Sequence, residues 1–156
     1  MNELDLLWKR HEIQHHLTVR VVEAFPEDKL FEFTPIAPMR TFAQIAGELL
    51  QLEAMIVHGV ATGKWNSWDQ ESPHAKHTTK AEIVAALNDV HHTSSTLWPQ
   101  ITAERLDALE PSMWGGPDSS MRSRLEYMID NEIHHRGQGY VYLRLLGVEP
   151  PAFWER

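Results

Sequence analysis

The stretch MIDNEIHHRGQGYVYLRLLG, residues 128–147, has the residue spacing of an amphipathic helix and carries two adjacent histidines. Extended back to a cap at Ser119 or Ser120, this helix places the following residues on one stripe: Met121, Leu125, Met128, His135, Tyr142 and Leu146. Gly147 and the two prolines that follow it end the helix. The stretch therefore predicts a long helix whose inward face includes a histidine.

Three earlier segments have the same helical periodicity, and glycine- and proline-containing breaks at 23–40, 63–77 and 98–120 separate the segments. Their predicted inward stripes are Leu6, Arg10, Ile13, Leu17, Val21 and Ala24 in the first, Ile45, Glu48, Leu49, Leu52 and Ile56 in the second, and Ile83, Leu87, Val90, His91, Ser94 and Trp98 in the third. No sustained alternation of apolar and polar residues predicts a strand. Four such helices predict an all-α four-helix bundle, formed as a single domain by residues 1–156, with long connections.

Cap residues mark where the helices of this bundle begin. Thr41 is the expected N-cap of the second helix, and Thr78 or Thr79 that of the third, with Glu82 at capping-box spacing. A short helical turn is expected at 102–109, inside the last break.

Composition excludes several classes of function. The net charge is −8 and there is no basic cluster, which argues against a nucleic-acid partner and an anionic membrane surface. The chain has no cysteine, so a disulfide, a zinc–thiolate site and a cysteine nucleophile are impossible. The N-terminal MNELDLLWKR lacks the features of a signal peptide and no apolar run is long enough to span a bilayer, so we expect a cytoplasmic protein.

Three polar residues on the inward faces indicate a binding site, because a buried ionisable group has to be paired, neutralised or bound to a metal. Asn131 and His135 are four residues apart and therefore lie one turn apart on the same face. Glu48 lies on the apolar side of the second helix, where a metal, His135 or an arginine such as Arg10 or Arg136 could be its partner. An asparagine oxygen suits hard cations better than zinc, so this spacing alone leaves metal binding open.

The other histidines have simpler expectations. His134 falls about 100° from His135, at the edge of the stripe. His91 faces inward as a hydrogen-bonded core histidine, and His92 faces outward. The histidines expected to be solvated are His11, His15, His16, His74 and His77. The tryptophans expected to cap the bundle or to form a contact surface are Trp65, Trp68, Trp98, Trp114 and Trp154.

Three motifs, NEIHHRGQGYVYLRLLGVEPP (131–151), APMRTFAQIAGELLQLE (37–53) and FPEDKLFEFTP (25–35), resemble the DinB-like (DinB/YfiT) superfamily of small metal-dependent helix bundles. The resemblance covers essentially the whole chain. It implies a bundle with up-down-down-up helix order and one divalent metal held by three histidines, one from the second helix and two from the last. The corresponding residues here are Glu48, Asn131 and His135, so only His135 matches the family pattern.

The family resemblance also implies a function. Members include thiol S-transferases that use low-molecular-weight thiols such as bacillithiol or mycothiol. Here, zinc, nickel or manganese on Glu48, Asn131 and His135 would lower the pKa of the thiol for attack on an electrophile. The expected pocket residues are His91, Tyr127, Glu132, Gln138 and Tyr142, with His91 or Glu132 as the base.

The alternative is a catalytically silent bundle in which Glu48 and His135 form a metal-free pair, with a small-molecule-binding or stress-related role. Family members are often dimers, so the resemblance implies a homodimer under either hypothesis.

Overall fold

The computed structural model describes residues 2–66 and 77–155, so Trp68 and His74 lie outside the described residues. The helices in the described part are α1 (Glu3–Ala24), α2 (Glu27–Glu32), α3 (Phe42–Thr62), α4 (Lys80–Leu97), α5 (Ala103–Asp107) and α6 (Met121–Leu145), with a 3-10 turn at Trp98–Gln100. The four long helices, α1, α3, α4 and α6, form the bundle, which confirms the predicted all-α class. None of the helices in these ranges is long and apolar enough to cross a bilayer.

The helix order is up-down-down-up, as the pairing of residues along each helix shows. α1 runs parallel to α6, because Arg10 lies against Asp130 and Gln14 against Arg136. α1 runs antiparallel to α4, since the Trp98 indole donates to the Leu4 carbonyl, whereas Lys80 contacts the carbonyls of Glu23 and Phe25.

α3 completes the bundle between α4 and α6. It runs antiparallel to α6, because Glu48 meets His135 and Phe42 meets Gly139. It runs parallel to α4, because Ala46 packs in one apolar cluster with Ile83, whereas Val60 packs with Trp98 in the other.

Local hydrogen bonds explain where the long helices begin. The Thr41 side chain accepts from the Gln44 amide, and Thr79 accepts from the Glu82 amide, each in a capping box. Ser120 caps α6. All three caps were predicted, because a hydroxyl at this position satisfies an amide that has no partner inside the helix. α1 has a further capping box, formed by Asn2 and Asp5.

The connections contain more structure than the sequence predicted. The first break includes α2, and α5 occupies most of the turn expected at 102–109. The long connection between α4 and α6 also contains two antiparallel two-residue strands, β1 (Leu109–Glu110) and β2 (Ser119–Ser120). Two residues are too short for a detectable alternation. The Arg124 guanidinium supports this pair by donating to the Glu110 carbonyl and the Ser119 hydroxyl.

The apolar core consists of two clusters at opposite ends of the bundle. Leu7, Ile56, Trp98 and Leu125 belong to one end, and Val21, Phe42, Leu87 and Tyr142 to the other. Between them, each long helix contributes polar side chains: His11, Gln14 and His15 from α1, Glu53 from α3, His91 from α4, and Glu132, His135 and Arg136 from α6. The centre of the bundle is therefore a polar layer between two apolar ones.

The predicted inward stripe of α1 was wrong at its N-terminal half. Leu6 is 56% exposed and Arg10 is an exposed partner of Asp130, whereas His11 and His15 are each 1% exposed. The helix is rotated by about one residue, roughly 100°, relative to the prediction. Hydropathy could not reveal this rotation, because the buried face of α1 carries polar residues that pair with other helices.

α6 packs closely on α3 at Gly139, and a substitution there tests this contact. A Cβ built there would lie 2.5 Å from Cε2 of the Phe42 ring, which is itself stacked on Phe25 with ring centroids 4.8 Å apart. We expect Gly139→Ala to lower the free energy of unfolding by about 1–3 kcal/mol, because the fixed ring cannot move aside. Gly137→Ala is the matched control, since a Cβ at Gly137 meets nothing within 4 Å.

At Gly137, alanine should raise the free energy of unfolding by roughly 0.5–1 kcal/mol through its helix propensity. Urea unfolding of both variants measures the difference. Equal stability of the two alanine variants would contradict the close packing of α6 on α3.

Candidate functional site

An open pocket of about 540 Å³ lies between the first turns of α3 and the middle of α6. Its lining residues are Arg40, Glu48, Tyr127, Asp130, Asn131, His134 and His135. The predicted convergence of Glu48, Asn131 and His135 is present here. Glu48, in the second turn of α3, lies opposite Asn131 and His135 near the middle of the antiparallel helix α6.

The Glu48 carboxylate is the centre of this pocket. Its Oε1 lies 2.9 Å from His135 Nε2 and 3.4 Å from the Asn131 amide nitrogen, and its Oε2 lies 2.5 Å from the Arg40 guanidinium. The arginine partner is thus Arg40, and neither Arg10 nor Arg136. Arg40 directly precedes the N-cap of α3, and its carbonyl accepts a 2.9 Å hydrogen bond from Tyr142.

These contacts determine the charge of the pocket. The hydrogen bond from His135 and the contact with Arg40 outweigh burial and lower the pKa of Glu48 to about 2. The carboxylate is therefore ionised near neutral pH. Two polar atoms at the pocket floor, Asn131 Oδ1 and His135 Nδ1, are buried without a hydrogen-bond partner in the described structure.

A second polar site, here called the core cluster, lies inside the bundle and consists of His11, His15, Glu53, His91 and Glu132. His11 Nε2 lies 3.0 Å and His91 Nδ1 lies 3.4 Å from Glu53 Oε1, and His11 Nδ1 lies 3.6 Å from Glu132 Oε2. The ring of His15 stacks on that of His91, with centroids 4.0 Å apart. All four long helices contribute to the core cluster.

Burial and mutual contacts strongly shift the pKa values of three residues in the core cluster. Burial lowers the pKa of His11, but the Glu53 and Glu132 carboxylates outweigh it and raise the pKa to about 10. Burial and the neighbouring His91 lower the pKa of His15 to about 4. Burial raises the pKa of Glu53, but His11 and His91 hold it well below its usual range.

Among the described residues, two sets could hold a metal ion. The first is Glu48, Asn131 and His135 in the open pocket. The second is His11, Glu53 and His91, whose ligand atoms all lie within 4.8 Å of one another in the core. The first set is accessible from outside, whereas the second is closed.

The predicted pocket residues divide between these sites. Only Tyr127 lines the open pocket; His91 and Glu132, the expected bases, belong to the core cluster. The other two lie outside both sites: the Tyr142 hydroxyl donates to the Arg40 carbonyl, and the Gln138 amide nitrogen lies 3.1 Å from His134 Nε2.

The expectation that His11 and His15 are solvated was wrong, whereas His16 is exposed as expected. Glu53 was not among the predicted site residues. The four-residue spacing of His11 and His15 indicates a shared helix face, but hydropathy does not indicate that this face is buried.

Comparison with known proteins agrees with this fold. Residues 1–156 match the DinB family. A DinB-like protein from Bacillus subtilis has a TM-score of 0.76 at 17% identity, over 97% of this chain and 99% of its own. One from Bacillus cereus has a TM-score of 0.71 at 19% identity, over 94% of both chains.

A mycothiol-dependent maleylpyruvate isomerase has a TM-score of 0.54 at 14% identity, over 86% of this chain and 60% of its own. These likenesses concern the fold. No curated protein sequence matches this chain.

The core cluster predicts a pH optimum of stability for the metal-free protein. Because the pKa of His11 rises from 6.5 to about 10 on folding, its stabilising contribution is complete below pH 6.5 and is lost towards pH 10. Because the pKa of His15 falls from 6.5 to about 4, stability rises between pH 4 and 6.5. We expect the free energy of unfolding, measured by urea titration with a chelator present, to be greatest near pH 6.5.

His11→Gln provides the control, since it removes the protonated ring and should abolish the fall in stability between pH 6.5 and 10. A flat profile between pH 6.5 and 10 in the wild-type protein would contradict the assignment of His11 as the protonated member of the core cluster.

Proposed function

Because this chain belongs to the DinB family, we propose that its open pocket is the active site of a metal-dependent enzyme that attaches a low-molecular-weight thiol to a small electrophile. The convergence of Glu48, Asn131 and His135 on the floor of an open pocket carries this proposal. The mycothiol dependence named for the isomerase of similar fold supports thiol chemistry in such a bundle.

The donor set fits a divalent cation. Ligand bonds of about 2.0–2.2 Å place neighbouring ligand atoms roughly 3 Å apart, and the pocket separations are 2.9 Å and 3.4 Å. The 3.4 Å distance is to the amide nitrogen of Asn131, and the buried Oδ1 has no hydrogen-bond partner in the described structure. The oxygen and nitrogen of an asparagine amide are assigned from hydrogen bonds, so turning this amide by 180° would direct the oxygen towards the ion. Glu48, Asn131 and His135 would therefore hold the ion, and their oxygens favour manganese over zinc. The bound ion would supply Lewis acidity that lowers the pKa of a thiol.

The remaining pocket residues would orient the donors and accept the proton. Arg40 fixes the Glu48 carboxylate through Oε2. His134 is exposed at the rim, and the Gln138 amide lies 3.1 Å from its Nε2. The amide nitrogen of Gln138 faces Nε2, and turning the amide by 180° would let its oxygen accept the Nε2 proton, which leaves the lone pair on Nδ1 available as a general base. His134 would take the thiol proton, sulfur would bond to the electrophilic carbon, and the leaving group would depart with the electron pair of its broken bond.

One observation favours the metal-free alternative. Both oxygens of Glu48 already face donors, namely Arg40, His135 and Asn131, so the carboxylate is satisfied without a cation. In that case the same pocket would bind a small molecule without thiol chemistry.

Metal analysis separates the two functions. We expect metal content, measured by plasma mass spectrometry on protein without a histidine tag, to fall by one ion per chain in Glu48→Ala and in His135→Ala. The loss is expected because each variant removes a charged or imidazole donor from the pocket. His92→Ala, an exposed histidine outside both sites, should keep the wild-type content.

Thiol chemistry is then assayed with monochlorobimane, which forms a fluorescent thioether and releases chloride. His134→Gln should lower the conjugation rate about a hundredfold at unchanged metal content, the usual scale for a general base. Unchanged metal content in Glu48→Ala and His135→Ala would overturn the metal site. Absence of thiol-dependent conjugation in the metal-loaded protein would overturn the transferase.

We propose that the active protein is a homodimer. Large apolar side chains of α6 and the C-terminal segment are exposed, including Leu145 at 61% and Trp154 at 72%, and exposed patches of this kind mark association surfaces. We expect sedimentation of the wild-type protein at twice the chain mass and of Leu145→Glu at the chain mass. The exposed polar control Arg144→Glu should remain dimeric. A monomeric wild-type protein would contradict this proposal.

A further inference from the structure

We propose that the core cluster is a second, structural metal site, in which His11 of α1, Glu53 of α3 and His91 of α4 bind one divalent transition-metal ion. The proposal concerns different residues from the open pocket, so it does not depend on the proposed enzymatic function.

Two of the distances between the ligand atoms match those of a metal site, and all three atoms lie within 4.8 Å of one another. For bonds of about 2.0–2.1 Å, tetrahedral geometry places ligand atoms roughly 3.3 Å apart. His11 Nε2 and His91 Nδ1 lie 3.0 Å and 3.4 Å from Glu53 Oε1. The three atoms belong to three different helices, so their convergence does not follow from the geometry of any one of them.

These atoms are close to one another but make no well-formed hydrogen bonds in the described structure. His11 Nδ1, His11 Nε2, Glu53 Oε1 and His91 Nδ1 are all buried, and none makes a hydrogen bond of acceptable geometry within the described ranges. His11 is 1% exposed and Glu53 is 6% exposed. Buried polar groups are nearly always hydrogen-bonded, and several such atoms pointing at one another call for a ligand. A cation would satisfy the ligand atom of each of the three residues.

The neighbours of this triad provide the support that metal ligands require. Glu132 lies 3.6 Å from His11 Nδ1, on the side of the ring away from Glu53, which is the position of the carboxylate that orients a metal-bound histidine. The rings of Trp8 and His15, two turns apart on α1, stack on His91 at 4.9 Å and 4.0 Å. The edge of the His91 ring is therefore held towards Glu53.

The small space around the triad indicates a structural role for the ion. A cavity of about 10 Å³ lies beside this triad; His11, His15, Glu53, Glu132 and apolar side chains line it, and His91 does not. That is no more than the space one water molecule needs, so a substrate cannot enter. Two imidazoles and one carboxylate favour zinc, cobalt or nickel over magnesium or calcium. An ion in such a closed site links three helices, and its binding stabilises the folded state.

The competing arrangement is a metal-free ion pair. There, a protonated His11 lies between the Glu53 and Glu132 carboxylates, and no cation is needed. The two arrangements differ in what a chelator does, because only a metal-bound core loses stability when the ion is removed.

The experiment uses the full chain without a histidine tag, in a Glu48→Gln/His135→Ala background that disables the open pocket. After chelation, this protein is titrated with Co²⁺. We expect one Co²⁺ per chain, with the visible absorption of a four-coordinate ion held by the three protein ligands and one water molecule. We also expect a rise in Tm of about 5–10 °C, the shift that corresponds to saturating binding in a domain of this size.

Adding His91→Ala should abolish both the absorption and the Tm shift, whereas the adjacent, exposed His92 serves as control and His92→Ala should keep both. Glu132→Gln should weaken Co²⁺ binding about 10–100-fold while keeping its stoichiometry, as expected for a positioning residue. Glu53→Gln, which preserves shape, replaces His91→Ala if that variant does not fold.

Two results would overturn the proposal. The first is a chelated protein that gains neither absorption nor Tm with Co²⁺, which would establish the metal-free ion pair. The second is absorption that survives both His91→Ala and Glu53→Gln. Neither result bears on metal in the open pocket, which is measured separately in the wild-type protein.

Discussion

A carboxylate cannot remain charged inside a helix bundle without a counter-charge or a metal, and this bundle buries two, Glu53 and Glu132, at its centre. Their partner His11 comes from α1, and His91 approaches Glu53 from α4. This requirement fixes the rotation of α1, whose buried face is polar in the middle and apolar at both ends. The relative positions of all four helices along the bundle therefore depend on a single polar layer.

The two polar sites are separated by the geometry of the helices that they share. Glu48 and Glu53 are five residues apart on α3, which turns their side chains about 140° from each other at 100° per residue. Asn131 and Glu132 are adjacent on α6 and differ by about 100°. Glu48 and Asn131 consequently meet in the open pocket. Glu53 and Glu132 instead meet His11 in the closed core. One pair of helices thus serves both an accessible site and a closed one.

The architecture of this bundle requires little that is specific in the sequence. Chains of 17–19% identity share this architecture over nearly their full length. The up-down-down-up order requires only amphipathic helices with capped ends and connections long enough to join them. In this chain Glu48, Asn131 and His135 supply the donors of the open pocket, and Arg40 contacts the Glu48 carboxylate.

The sequence by itself determined the four long helices, the N-caps of α3, α4 and α6, and the shared pocket of Glu48, Asn131 and His135. Periodicity and capping are local properties, and a strongly apolar stripe points inward whatever it packs against. Only the tertiary structure decided that His11 and His15 are buried, that Glu53 joins them, and that Arg40 is the partner of Glu48. Hydropathy assigns charged and imidazole side chains to the surface, because the transfer of each one alone from water is unfavourable. Their burial becomes favourable only when residues from several helices meet, and no single segment of the chain contains that information.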